Sequence, residues 1–155
     1  MDKIEQRLKK TDKRRRFITY VIASLFIITI LFNFVKLPVT MAGWFVPFKV
    51  DTPTYLPLDV EHQYAKVVGL DTVKILYKGS GGTITVWATT NIGWNNVSTW
   101  DEQVSLLDGT TAYYDFIDNM QMISWKKGNV EYAVDYQGEP LLAREELIEI
   151  ASSIK

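Results

Sequence analysis

The chain of 155 residues carries 17 Lys/Arg against 18 Asp/Glu, one histidine and no cysteine. That composition excludes a disulfide framework, thiolate chemistry and a lipidated cysteine, and a lone histidine supports neither a metal site nor a Ser-His-Asp triad. The near-neutral total hides a polarised chain: residues 1–16 hold eight Lys/Arg against three acids and residues 36–155 hold nine against fifteen, formal charges of +5 and −6.

The basic cluster Lys13-Arg14-Arg15-Arg16 is followed by the uncharged stretch FITYVIASLFIITILFNFV, residues 17–35. As a helix this stretch would cover about 28 Å, close to the roughly 30 Å hydrocarbon core of a bilayer. The sequence therefore predicts a basic cytoplasmic tail over 1–16 and one transmembrane helix over 17–35, oriented amino end inside by the excess of cations on that flank. The implied partner is the lipid bilayer, with Arg14, Arg15 and Arg16 at its inner surface. A competing reading is a signal peptide cleaved after Ala42, but the apolar run is longer than a usual signal core and Leu37–Val50 stays largely apolar. No small-x-x-x-small face marks the stretch for helix pairing.

Residues 36–52 read as a juxtamembrane connector. Four of the chain's five prolines fall between Lys36 and Pro57, and Trp44, Phe45 and Phe48 form an aromatic cluster of the kind found at membrane interfaces, with Trp44 the interface residue. The remainder, 53–155, is long enough for one domain.

Its pattern is strand-like. Val73–Tyr77 and Thr83–Trp87 flank Gly79-Ser80-Gly81-Gly82; Gln103–Leu107 and Thr110–Phe116 flank Asp108-Gly109; Met120–Lys126 and Val130–Tyr136 flank Lys127-Gly128-Asn129. Each pair reads as a hairpin. Residues 59–70 fit a strand or a short helix equally. After Pro140 the period changes: Leu147, Ile150, Ala151 and Ile154 share one helical face, opposite Glu145, Glu146 and Glu149, and the helix starts after Ala143. The expected fold is α+β, an antiparallel meander of about six strands with a carboxy-terminal amphipathic helix, preceded by the transmembrane helix.

Pro53-Thr54-Tyr55-Leu56-Pro57, the strand pair around Ile75-Leu76-Tyr77, and the ending from Trp125 through Glu145-Glu146-Leu147 to Ile154 resemble a family of uncharacterised extracytoplasmic domains. That family stands behind a single span in Gram-positive anti-sigma-factor-like and envelope proteins. Leu58-Asp59-Val60 and Ala143 depart from its pattern. The resemblance implies a domain outside the cell membrane, while a regulator's sigma-holding module is not implied, because sixteen residues are too few to fold.

Candidate chemistry is sparse. Ser124 to Lys127 and Ser152 to Lys155 have Ser-x-x-Lys spacing without the setting it needs, Gly79–Gly82 lacks the Lys and helix of a phosphate loop, and His62 has no partner in the pattern. Thr89–Asp101 differs: it is long for a hairpin loop and sets Trp94 and Trp100 among Asn91, Asn95, Asn96, Ser98 and Thr99. Large indoles beside short amides suit a binding loop, so Trp94, Asn95, Asn96 and Trp100 are the candidate binding residues. The alternative is that the indoles fold back on the sheet. The reading is a non-catalytic binding, sensing or accessory domain at the cell envelope, with a membrane or envelope protein as partner, no nucleic acid, no metal and no cofactor. Two alternatives differ in class: a lipid or lipoprotein carrier built as a half-barrel, and a small envelope hydrolase using Asp101, Asp108, Asp115 and Asp118.

Overall fold

The structure, a computed structural model, describes residues 13, 15–27, 35–100 and 102–155. The chain divides into two compact units, Met1–Val35 and Lys36–Lys155.

In the first unit residues 15–27 are helical and every described residue is exposed. The Thr19 hydroxyl donates to the Arg15 carbonyl at 3.0 Å, satisfying itself on its own helix. The transmembrane helix expected over 17–35 is corrected here: among the described residues no helix is long and apolar enough to cross a membrane. The described helical residues 15–27 include two arginines, Arg15 and Arg16. Arg14 and residues 28–34 of that expectation lie outside the described residues.

The second unit is built on one antiparallel sheet. Its strands are β1 (Val60–Val68), β2 (Thr72–Gly79), β3 (Gly82–Thr89), β4 (Glu102–Ser105), β5 (Thr111–Ile117), β6 (Met120–Lys127) and β7 (Val130–Gly138), and one α-helix, α1 (Arg144–Ser152), follows. Spatial order is β1-β2-β3-β7-β6-β5-β4. The six-strand meander is thus corrected twice. Residues 60–68 add a seventh strand, and two meanders are joined so that β3 neighbours β7 while β4 lies at the far edge. β1 escapes the apolar alternation test because its inward positions carry Gln63 and the small Ala65 as well as Val67.

Register explains the core. Ala65, Ile75, Val86, Val134, Ile123 and Tyr114 stand directly opposite one another in one row across six strands. All but the partly buried Tyr114 are at most 1% exposed. This apolar face is covered by α1 through Leu147, Ile150 and Ala151, and by residues 37–58 through Ala42, Val46, Phe45, Phe48, Tyr55 and Leu58. Residues 36–52, expected to lie along the headgroups, therefore pack within the domain. Leu37 exchanges two backbone hydrogen bonds of 2.8 Å with Ala65, which partly closes the β1 edge. Pro53 bridges Ile154 at the other end of the same wrapping segment.

Turns are set by residues that accept a left-handed backbone. Asp118 and Asn119, at φ 51° and 65°, make the tight β5–β6 turn, the pair of positive φ values a type I′ hairpin requires. Gln121, inward on β6, holds the approach to α1 with both ends of its amide: Nε2 donates to Leu142 O and Oε1 accepts from Leu142 N, each at 2.9 Å.

Candidate functional site

Chain order explains why residues 90–101 form a long connection. From β3 to β4 the chain passes three intervening strands, four inter-strand spacings or about 19 Å. It makes that crossing over the sheet face opposite α1. On this face the register aligns Lys74, Trp87, Ala133, Ser124 and Tyr113 in one row, and Leu76, Thr85, Asp135, Met122 and Asp115 in the next.

The connection is tied down along its length. Thr90 N donates to Asp71 O at 3.0 Å, and the Thr89 hydroxyl accepts from Asn91 N at 3.0 Å. Gly93 N donates to Glu131 Oε2 at 2.5 Å, and Asn95 Nδ2 donates to Ser124 Oγ at 3.3 Å. Trp94 lies against Trp87, with ring centroids 5.1 Å apart and planes tilted by 50°. Trp100 Nε1 donates to Asn95 O at 3.0 Å, closing the segment on itself across a left-handed Asn96 at φ 49°. Of the four candidate binding residues, Trp94, Asn95 and Trp100 are half-buried and Asn96 is exposed. The structure brings them together and spends the Trp94 ring and the Asn95 amide on the sheet.

Beneath the connection lie two carboxylates that the sequence reading did not single out. Asp135 accepts the Trp87 indole N–H at 2.6 Å, and the Lys74 ammonium stands 4.5 Å from the centre of the same indole. Burial pushes the Asp135 carboxyl above its ordinary value, opposed by the Trp87 donor and the Lys74 charge. Glu131 is 5% exposed, and its Oε1 and the Trp94 Nε1 are buried without a hydrogen-bond partner among the described residues. The alternation Glu131-Ala133-Asp135 along β7, polar or small on one side and Tyr132, Val134, Tyr136 on the other, is the sequence signal that marks this second face.

No protein-family model, no curated protein and no solved structure matches this chain.

The geometry itself bears on the chemical alternatives. Asp108 and Asp118 sit in the turns at opposite ends of β5, a strand about 23 Å long, so the four-carboxylate cleft does not assemble from them. Asp108 Oδ1 instead accepts from Thr110 N at 2.9 Å, and Asp115 Oδ1 accepts from Phe116 N at 2.7 Å. Asp101 lies outside the described residues. Ser124 and Lys127 point to opposite faces: the Ser124 hydroxyl donates to Tyr132 O at 2.9 Å, while the Lys127 ammonium pairs with Asp51 at 2.7 Å. Ser152 donates to Ile148 O within its own helix. His62 is exposed on β1 opposite Lys78. Among the described residues no group of three or more metal-binding side chains gathers. As for a half-barrel carrier, the apolar face on which a lipid would lie is filled by α1 and residues 37–58.

The interface residues fall in both units. Arg15 and Arg16 are exposed on the amino-terminal helix, Arg14 lies outside the described residues, and Trp44 is 76% exposed on the 3-10 turn Val39–Trp44.

Proposed function

We propose that the chain is a non-catalytic binding or accessory domain held at a membrane by its amino-terminal apolar segment, with a membrane or envelope protein as its partner. One observation carries the reading: Phe17, Tyr20, Ile22, Leu25, Phe26 and Ile27 are each more than half exposed on one helix, just after Arg15 and Arg16. A helix apolar on every side is not stable facing water and finds its solvent in acyl chains, with basic residues at its start to meet headgroups. Transfer of such side chains out of water yields about 1.5–3 kcal/mol each. The Lys36–Lys155 unit, by contrast, has a filled core of its own. The proposal concerns attachment, and the sidedness inferred from charge is not part of it, since that inference required a span.

Flotation with phosphatidylcholine vesicles tests the attachment. The full chain should rise with the vesicles, and the double variant Ile22→Asp/Phe26→Asp should stay in the aqueous fraction while keeping the domain's thermal melting. Wild-type chain left at the bottom of the gradient would sink the reading.

A further inference from the structure

On the second sheet face β1 and β2 place two lysines opposite each other, where a sheet ordinarily avoids like charges. Lys66 stands directly opposite Lys74, and His62 directly opposite Lys78, with Tyr64 opposite Leu76 between the two pairs. Like charges in direct cross-strand register destabilise a sheet; of this pair Lys74 is offset by the Trp87 ring and the Asp135 carboxyl, which leaves Lys66 without a counter-charge among the described residues. Lys36 joins the group, its ammonium 4.6 Å from the centre of the Tyr64 ring. Beside the Lys66–Lys74 pair lies a depression of about 770 Å³ whose lining includes Lys36, His62, Tyr64, Leu76, Lys78 and one acid, Glu61. The Lys66–Lys74 pair and Lys78 lie about 13 Å apart along the strands, four residues of extended chain.

The rest of the domain makes this concentration stand out. Of nine Lys/Arg in residues 36–155, against fifteen acids, four are on this face. Lys49 and Lys127 share Asp51, Arg144 pairs with Glu102, and Lys126 stands opposite Glu131. Lys66 and Lys78 have no ion-pair partner among the described residues. The face is also where the chain enters the domain, because Lys36 is the first residue of that unit.

We infer that the β1–β2 face, through Lys36, Lys66 and Lys78 around Tyr64 and Leu76, docks the domain on an anionic phospholipid surface. The inference rests on the membrane attachment proposed above and adds an orientation to it. Cations close to such a surface are each attracted by it, an aromatic and an aliphatic side chain between them suit the headgroup region, and the acidic remainder of the domain is repelled.

The test uses the full chain with phosphatidylcholine vesicles, with and without phosphatidylglycerol. Flotation reads the attachment, and the rate of amine acetylation at each lysine, followed by mass spectrometry, reads the docking. Lys66 and Lys78 should label about threefold or more slowly on phosphatidylglycerol vesicles than on phosphatidylcholine alone, Lys155 should not change, and added salt should abolish the difference. A chain that floats but labels equally at Lys66 and Lys78 on both vesicles overturns the docking surface and leaves the attachment standing. Salt-sensitive protection without flotation on phosphatidylcholine does the reverse. With neither, both fall. Equal protection by inorganic phosphate in place of vesicles assigns the cations to a free anion and also overturns the docking surface.

Discussion

Replacing Ala143 by Ser isolates one capping interaction and nothing else. Ala143 is the N-cap of α1, at φ −61° and ψ 145°, and it is exposed, so a hydroxyl there disturbs no packing. Half of a capping box is already present: Ala143 N donates to Glu146 Oε2 at 2.9 Å. The reciprocal half cannot form, because a methyl group offers no acceptor to the amides of the first turn. Glu145 and Glu146 already place negative charge at the positive end of the helix dipole, so the missing term is the side-chain acceptor alone. Supplying it should stabilise the domain by about 0.5–2 kcal/mol, typically near 1. The Glu146 N–H already reaches Ala143 O at 3.0 Å, which favours the lower half of that range. For a unit of this size that corresponds to roughly 3–6 °C in Tm. Chemical and thermal unfolding of wild-type and Ala143→Ser proteins measure it. An unchanged or lowered stability would refute the assignment of Ala143 as the cap.

Asp51→Asn should cost about 1.5–3 kcal/mol in denaturant unfolding at neutral pH, since the buried carboxylate sits 2.7 Å from both Lys49 and Lys127. Burial pushes the Asp51 carboxyl up, but the two lysines outweigh it and hold the folded-state value below the ordinary one. A depressed carboxylate contributes stability above its unfolded value, near 3.9, and loses it as pH falls through the lower folded value. The gap between wild type and Asp51→Asn should therefore shrink below about pH 4, and a gap constant with pH would contradict this account. Trp94→Ala should lower stability by about 2 kcal/mol, roughly half the cost of a fully buried indole, because the ring is half-buried against Trp87. Unchanged melting would return Trp94 to a purely recognitional role.

Periodicity and turn chemistry made much of the domain legible in the sequence. Alternation in β2, β3, β6 and β7 shows its inward residues directly, because side chains along a strand alternate between two faces whatever the strand's neighbour is. The face of α1 and its first residue are equally local properties, set by a repeat of 3.6 residues and by the end of the proline-bearing segment before it. The polar sides of the strands, including Glu131 and Asp135, were present in the same alternation, though nothing in it said that a connection would cover them.

What only the tertiary structure decided is which strands are neighbours. Hairpin cues join β2 to β3, β4 to β5 and β6 to β7, but no local signal says that β3 pairs with β7. That pairing alone turns residues 90–101 from an overlong loop into a crossing, and it buries Trp94 against Trp87. Ala65 in β1 reads as a weak strand position until Leu37 and the turn Val39–Trp44 supply what packs against it. The like-charged register of Lys66 with Lys74 is invisible for the same reason, since cross-strand neighbours are fixed by pairing and not by sequence separation. The amino-terminal segment shows the opposite limit. Its apolar composition is plain from residues 17–35, but composition specifies a preferred solvent and not a span, and among the described residues no helix is long and apolar enough to cross a membrane.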